Sequence, residues 1–156
     1  MPKHTVETVK RETDDNVRGP VELLRYSDTG GLTQFGAYVE VLPPGSGSSI
    51  KHWHAGEDEM VYMLTGTATL IEGDSETDLN PGDAATFKAG VPAGHCLENR
   101  SDAPTSYLVI GTRSSGDVVT YPDDDRILRI DRAARTFDWT THAGDPASNP
   151  YQPKDP

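Results

Sequence analysis

Gly45-Ser46-Gly47-Ser48-Ser49-Ile50-Lys51-His52-Trp53-His54-Ala55-Gly56-Glu57-Asp58-Glu59 is the stretch that decides how this chain is read. Alternate residues of a β-strand point to one face. Read as a turn leading into a strand, the segment puts Ile50, His52 and His54 on one face and Lys51 and Trp53 on the other. Ala55–Asp58 reads as a tight turn, and Glu59 opens the returning strand. A hairpin of this kind brings Glu59 back beside the two imidazoles. Glu59, Val61 and Met63 then line the same interior, while Met60, Tyr62 and Leu64 face away.

A third histidine, His95, follows a Gly-rich loop, Lys88-Ala89-Gly90-Val91-Pro92-Ala93-Gly94. On a strand it shares a face with Leu97 and Asn99. If that face lines the same cavity, His52, His54, Glu59 and His95 form a set of three imidazoles and one carboxylate. Such a mixed nitrogen and oxygen set suits one divalent transition metal ion (Zn, Mn, Fe, Ni, Cu or Co), without choosing among them. Val61, Met63 and Leu97 are the candidate apolar cavity wall, and Asn99 is a candidate for orienting a bound group or holding a turn.

Around this centre the chain is a series of short β-branched and aromatic runs punctuated by Gly, Pro and Asp. They are Val21–Tyr26, Thr33–Leu42, Glu59–Leu64, Thr67–Glu72, Ala84–Lys88, His95–Asn99 and Ser106–Thr112. That pattern predicts an all-β sandwich or barrel. The single helix expected is a short one near Ile130–Arg135. Residues 1–20 are polar and read as an N-terminal arm closed by Gly19-Pro20. The barrel is expected over 21–113. Residues 114–156 read as an extended C-terminal tail carrying one or two short strands, at Val118–Tyr121 and Phe137–Thr141, and packing on the barrel or on a dimer partner. Left uncovered, the tail's Val118, Ile127, Leu128, Ile130, Phe137 and Trp139 would make an apolar patch.

With 156 residues the chain suits one domain. A chain of about that length buries roughly 70% of its unfolded surface. The net charge of −11, from 14 basic and 25 acidic residues, repels phosphate backbones and argues against nucleic acid and anionic membranes as partners. Cys96 is the only cysteine, so no internal disulfide forms. No signal peptide or apolar spanning run is visible, which makes the cytoplasm the expected compartment.

These residues resemble the cupin superfamily. Its first motif is a Gly, then His-x-His, a Glu after three or four residues, and a Gly after six intervening residues; Gly47, His52, His54, Glu59 and Gly66 correspond, with Gly47 one residue nearer the first His than usual. Gly82, Gly90, His95 and Asn99 correspond to the second motif. Lys88 stands where that motif has Pro, and two extra residues separate Gly90 from His95. The resemblance implies a double-stranded β-helix, or jelly roll, and a homodimer. The flanking stretches Gly31–Gly36 and Gly116–Asp123 are similar to single-domain bacterial cupins, some loosely called sugar-phosphate isomerase-like.

His4 and His142 lie in polar segments with no partner at ligand spacing and read as solvated. Cys96 alternates with His95 and reads as a small buried hydrophobe. Trp53 and Tyr62 read as packing, and Lys51 and Lys88 as outward-facing. Asp123–Asp125 lacks the ligand spacing of a calcium loop. Two functions follow as expectations. One is a metal-dependent isomerase, lyase or dioxygenase acting on a small polar metabolite. The other is a non-catalytic module that binds or senses such a molecule. No second carboxylate is evident on the cavity face.

Overall fold

The computed structural model describes residues 2–152. Thirteen strands and a single helical turn follow one another: β1 Lys10–Asn16, β2 Gly19–Arg25, α1 Tyr26–Thr29, β3 Phe35–Leu42, β4 Trp53–His54, β5 Glu59–Thr65, β6 Ala68–Glu72, β7 Ser75–Leu79, β8 Ala84–Phe87, β9 His95–Glu98, β10 Thr105–Thr112, β11 Gly116–Tyr121, β12 Arg126–Asp131 and β13 Thr136–Thr140. The fold is an all-β jelly roll. One wall is a six-stranded sheet in the order β1-β2-β3-β10-β5-β8. Facing it are a three-stranded sheet, β7-β6-β9, and a four-stranded one, β13-β12-β11-β4. Bridges Gly47↔Glu98 and His52↔His95 splice the segment before β4 onto β9, so these two sheets make one continuous wall.

The core lies between the walls. Leu42, Val61, Met63, Tyr107 and Val109 of the first wall meet Ala68, Leu79 and Leu97 of the second. Burying each large apolar side chain stabilises the fold by roughly 1.5–3 kcal/mol. A second cluster joins Ile50, Val119 and Tyr121 to Leu128, Ile130 and Trp139 of the C-terminal meander. Gly66 closes the first motif for a backbone reason. Its φ is +71°, and a Cβ there would lie 2.8 Å from the Pro104 carbonyl oxygen.

Several expectations need correction. Residues 10–16 of the expected arm form β1, paired residue for residue with β2 from Lys10↔Arg25 to Asn16↔Gly19. Its side chains are mostly exposed on both faces, so it carries no apolar alternation to betray it. β7 was likewise hidden in a polar run, Ser75-Glu76-Thr77-Asp78-Leu79, at a sheet edge. The helix expected near Ile130–Arg135 does not form. β12 runs on to Asp131, and a turn to β13 follows, capped by Asp131 Oδ1 accepting from Ala134 N–H at 2.9 Å and by Arg135 at φ +55°. Pairing on both sides, with β11 and β13, outweighs the local helical tendency of that run. The C-terminal segment thus has three strands, and β11 pairs with β4 through Val119↔His54 and Thr120↔Trp53.

The His/Glu stretch is not a hairpin either. β4 pairs with β11, whereas β5 pairs with β10 and β8 in the opposite wall. Residues 48–51 are bends rather than strand, and Ile50 packs into the C-terminal cluster instead of the cavity.

Candidate metal centre

The site assembles across the barrel interior, from three backbone settings. His54 sits on the two-residue strand β4. His52 precedes it and is locked to His95 by reciprocal backbone hydrogen bonds, His52 N–H to His95 O at 3.2 Å and His95 N–H to His52 O at 2.9 Å. That pairing fixes His95 opposite His52 despite the lengthened loop before it. Glu59 reaches in from the first residue of β5 on the facing wall.

The four side chains converge. The ring centroids of His52 lie 5.0 Å from those of both His54 and His95. His52, His54 and Glu59 offer ligand atoms that all fall within 4.8 Å of one another. The Glu59 carboxylate spans the gap, with Oε2 3.5 Å from His54 Nε2 and Oε1 3.6 Å from His95 Nε2.

Each imidazole is oriented from behind. His52 Nδ1 lies 2.8 Å from the Ile50 carbonyl oxygen, which only accepts, so Nδ1 carries the proton and Nε2 keeps its lone pair. His54 Nδ1 lies 2.6 Å from Asp117 Oδ2. Asp117 is itself fixed by accepting from Gly56 N–H at 2.8 Å through its other oxygen. His95 stacks flat on Phe87, with centroids 3.6 Å apart and planes 5° apart. His95 is only 2% exposed, yet neither of its ring nitrogens has a hydrogen-bond partner. A buried polar atom left unpaired costs about 1–3 kcal/mol. An ion accepting the lone pair of the unprotonated ring nitrogen relieves that cost, so the donor set fits a divalent transition metal.

Electrostatics follow from burial. Burial, aided by the other two imidazoles, lowers His52 to about 4, so it is neutral near pH 7. For His54 burial opposes the charge, but the Asp117 hydrogen bond and the nearby Glu59 carboxylate outweigh it and raise the group to about 9. Glu59 is held well below the usual carboxylate range, its burial penalty overcome by the imidazoles of His54 and His95 beside it.

His54, Glu57 and Asp117 form a second close group of possible donors. Their valences are already used. Glu57 pairs with Arg132 at 2.6 Å and accepts from Ser114 N–H at 2.9 Å, while Asp117 serves His54 and Gly56. The group braces β4 against β11.

A cavity of about 220 Å³ opens from the four side chains into the barrel. Val61 and Leu97 line it, as expected. Met63 does not; it lies 1% exposed in the core beyond. Asn99 does not line it either. Its side-chain amide donates to Leu42 O and Ala103 O, each at 2.8 Å, and its carbonyl accepts from Ser101, so it pins a turn.

The cavity also contains groups that sequence reasoning missed. Registers place Gly111, Glu59 and Phe87 at one level, Tyr38, Val109 and Val61 at the next, and Glu40, Tyr107 and Met63 below that. Glu40 is 5% exposed and accepts from the Tyr107 hydroxyl at 3.0 Å. Burial raises it to about 8, against the opposing Tyr107 hydrogen bond. A second carboxyl therefore does face the cavity. Its signal was obscured because Ala37, Val39 and Val41, the alternate set on β3, look more core-like than Gly36, Tyr38 and Glu40.

An outer cleft of about 190 Å³ shares His54 and His95 with this cavity and is lined further by Trp53, Glu57, Glu72 and Lys88.

Comparison with known proteins agrees with this architecture. The family described as the cupin domain matches residues 38–111. A crystal structure from Silicibacter pomeroyi, named a sugar phosphate isomerase from a cupin superfamily, is 34% identical, with a TM-score of 0.85 over 96% of this chain and 99% of that one. A candidate sugar phosphate isomerase from Acidithiobacillus ferrooxidans is 25% identical, with a TM-score of 0.82 over 94% of this chain and 96% of that one. A protein from Thermotoga maritima named as a predicted oxalate decarboxylase is similar in fold, with 23% identity and a TM-score of 0.61 over 70% of this chain and 97% of that one. Among proteins of curated function, none matches the chain.

Proposed function

The chain belongs to the cupin superfamily, and from that premise we propose that it is a metal-dependent enzyme acting on a small polar, sugar-type metabolite. His52, His54, Glu59 and His95 are the residues that would hold one divalent transition metal ion. The observation that carries the reading is their convergence around a buried His95 with two unpartnered ring nitrogens. A metal bound there supplies Lewis acidity, which polarises a carbonyl or hydroxyl of a small molecule. The chain's own residues do the rest. Ile50 O and Asp117 hold two imidazoles in the tautomer that leaves Nε2 toward the centre. The Val61, Leu97 and Val109 side chains exclude water from the cavity wall. Glu40 provides a second carboxyl that can hold a proton at the far end.

The sugar-type assignment draws on the names of the two relatives from Silicibacter and Acidithiobacillus. We further propose that the chain works as a homodimer. The outer face of the six-stranded sheet carries Tyr62 and Leu64, each 41% exposed, beside Met60 and Ile110, an apolar surface that a second copy would cover.

Elemental analysis of the purified full chain tests the metal reading. One equivalent of a transition metal is expected, with His54→Ala losing most of it. Full occupancy in that variant would overturn the ligand assignment. Turnover of a sugar that stops on chelation and returns with one metal supports an enzyme. Binding without product would instead favour a sensor.

A further inference from the structure

The cavity has two polar ends separated by an apolar waist. The His/Glu cluster sits at the Glu59 level, and Glu40 and Tyr107 sit at the level four residues further along the strands. Side chains from both levels reach inward to line one and the same cavity. Val61, Val109 and the Tyr38 ring occupy the level between. The Tyr107 hydroxyl takes one oxygen of Glu40. No second hydrogen bond to that carboxyl occurs among the described residues, and the residue lines the void. A carboxyl buried at 5% exposure in an apolar layer is costly unless it has a partner. One binding site is therefore open at the end away from the histidines.

The lining decides what kind of group can reach it. Apart from the His/Glu cluster, its polar members are Glu40 and the hydroxyl-bearing Tyr38, Tyr107, Ser48 and Ser49. No Lys or Arg lines the cavity. A phosphate dianion at the Glu40 end would lose its hydration and face a carboxyl with no Lys or Arg beside it, the positive charge of the site lying at the histidine end. Arg25 lies over the Tyr38 ring, 4.8 Å from its centroid, and Lys88 lines the outer cleft, but neither lines the cavity itself. Size limits the ligand to a small molecule. The volume of about 220 Å³ holds roughly seven waters at about 30 Å³ each.

We propose that the ligand of this cavity is a small, unphosphorylated hydroxy-carbonyl compound, one end of which reaches the His/Glu cluster while a hydroxyl at its other end is bound by Glu40, which Tyr107 positions. This rests on the metal reading above and narrows it. The sugar part of the relatives' names suits the cavity, and the phosphate part does not.

Calorimetric titration of the metal-loaded full chain with dihydroxyacetone and, in parallel, dihydroxyacetone phosphate tests this, with metal content measured on the same samples. Dihydroxyacetone is expected to bind at least tenfold more tightly than its phosphate. Glu40→Gln, which keeps the side-chain shape, should retain its metal and lose tenfold or more in dihydroxyacetone affinity. Tyr107→Phe should lose severalfold, and it carries the test should Glu40→Gln fail to fold. Equal or tighter binding of the phosphate overturns the proposal, as does unchanged affinity in a folded variant, or no binding of dihydroxyacetone to fully loaded protein. A chain that takes up no metal sinks the metal reading itself, and this inference with it.

Discussion

Asp117 holds its two partners with both carboxylate oxygens, His54 Nδ1 through one and Gly56 N–H through the other. Its side chain is fully shielded from solvent. Removing it frees the His54 ring to rotate and takes away the acceptor of His54 Nδ1–H and of Gly56 N–H. Asp117→Ala is expected to weaken metal affinity about 10–100-fold, the usual cost of losing a carboxylate behind a ligating histidine. Competition with a chromogenic chelator measures this, and circular dichroism checks the fold. An affinity equal to that of the parent chain would show that His54 needs no such brace. Glu40 makes a second residue-level prediction, for metal-free protein. Its carboxyl titrates near 4.5 when unfolded and about 8 when folded. Between those values the folded state holds the proton and the unfolded state does not, so stability falls as pH rises through this window. Glu40→Gln should flatten the fall by up to about 1.4 kcal/mol per pH unit. Denaturant titrations from pH 5 to 8 on both proteins would reveal the difference, and parallel slopes would refute it.

Strand β4 has only two residues and borrows its rigidity from its neighbours. On one side β11 pairs with it, and on the other the His52↔His95 bridge ties its approach to β9. The C-terminal meander is thus a supporting wall for the histidines, glued on by Ile50, Val119 and Tyr121. The hydroxyl of Tyr151 accepts from Ile50 N–H at 3.2 Å and extends the contact. Truncation after Ser114 is expected to expose that cluster, remove Asp117, and abolish both soluble expression and metal uptake. A truncated chain that stays soluble and binds metal with parental affinity would show that β1–β10 and α1 suffice without the meander β11–β13. At this scale much was legible beforehand. Seven of the strands lie on runs where Gly, Pro and Asp bracket β-branched residues. β1 and β7 were not, because an edge strand exposed on both faces needs no apolar alternation.

For the whole molecule, the outer face of the six-stranded sheet is the unusual surface. Phe35 is 38% exposed there, and Tyr62 and Leu64 are each 41% exposed, alongside the half-buried Val39, Leu108 and Ile110. A continuous apolar sheet face this size is a typical isologous contact. Light scattering after size exclusion is expected to give twice the 16.9 kDa chain mass. Tyr62→Glu combined with Leu64→Glu should shift the particle to the chain mass while leaving the metal bound. A monomer in the parent protein would refute the expectation directly.

The amino-acid sequence by itself determined the all-β class and marked His52, His54, Glu59 and His95 as a candidate set, because short alternating runs and the His-x-His spacing are local properties of a strand, whereas the closing of the barrel brought the four together. The tertiary structure alone decided which face of β3 turns inward. Alternation says which residues travel together and is silent on which set meets the core, so Glu40 stayed hidden behind three better-looking apolar neighbours. It also decided what stands behind each ligand. His54 and Asp117 lie 63 residues apart, and no periodicity in the chain encodes a contact that exists only once two sheets have closed into a barrel.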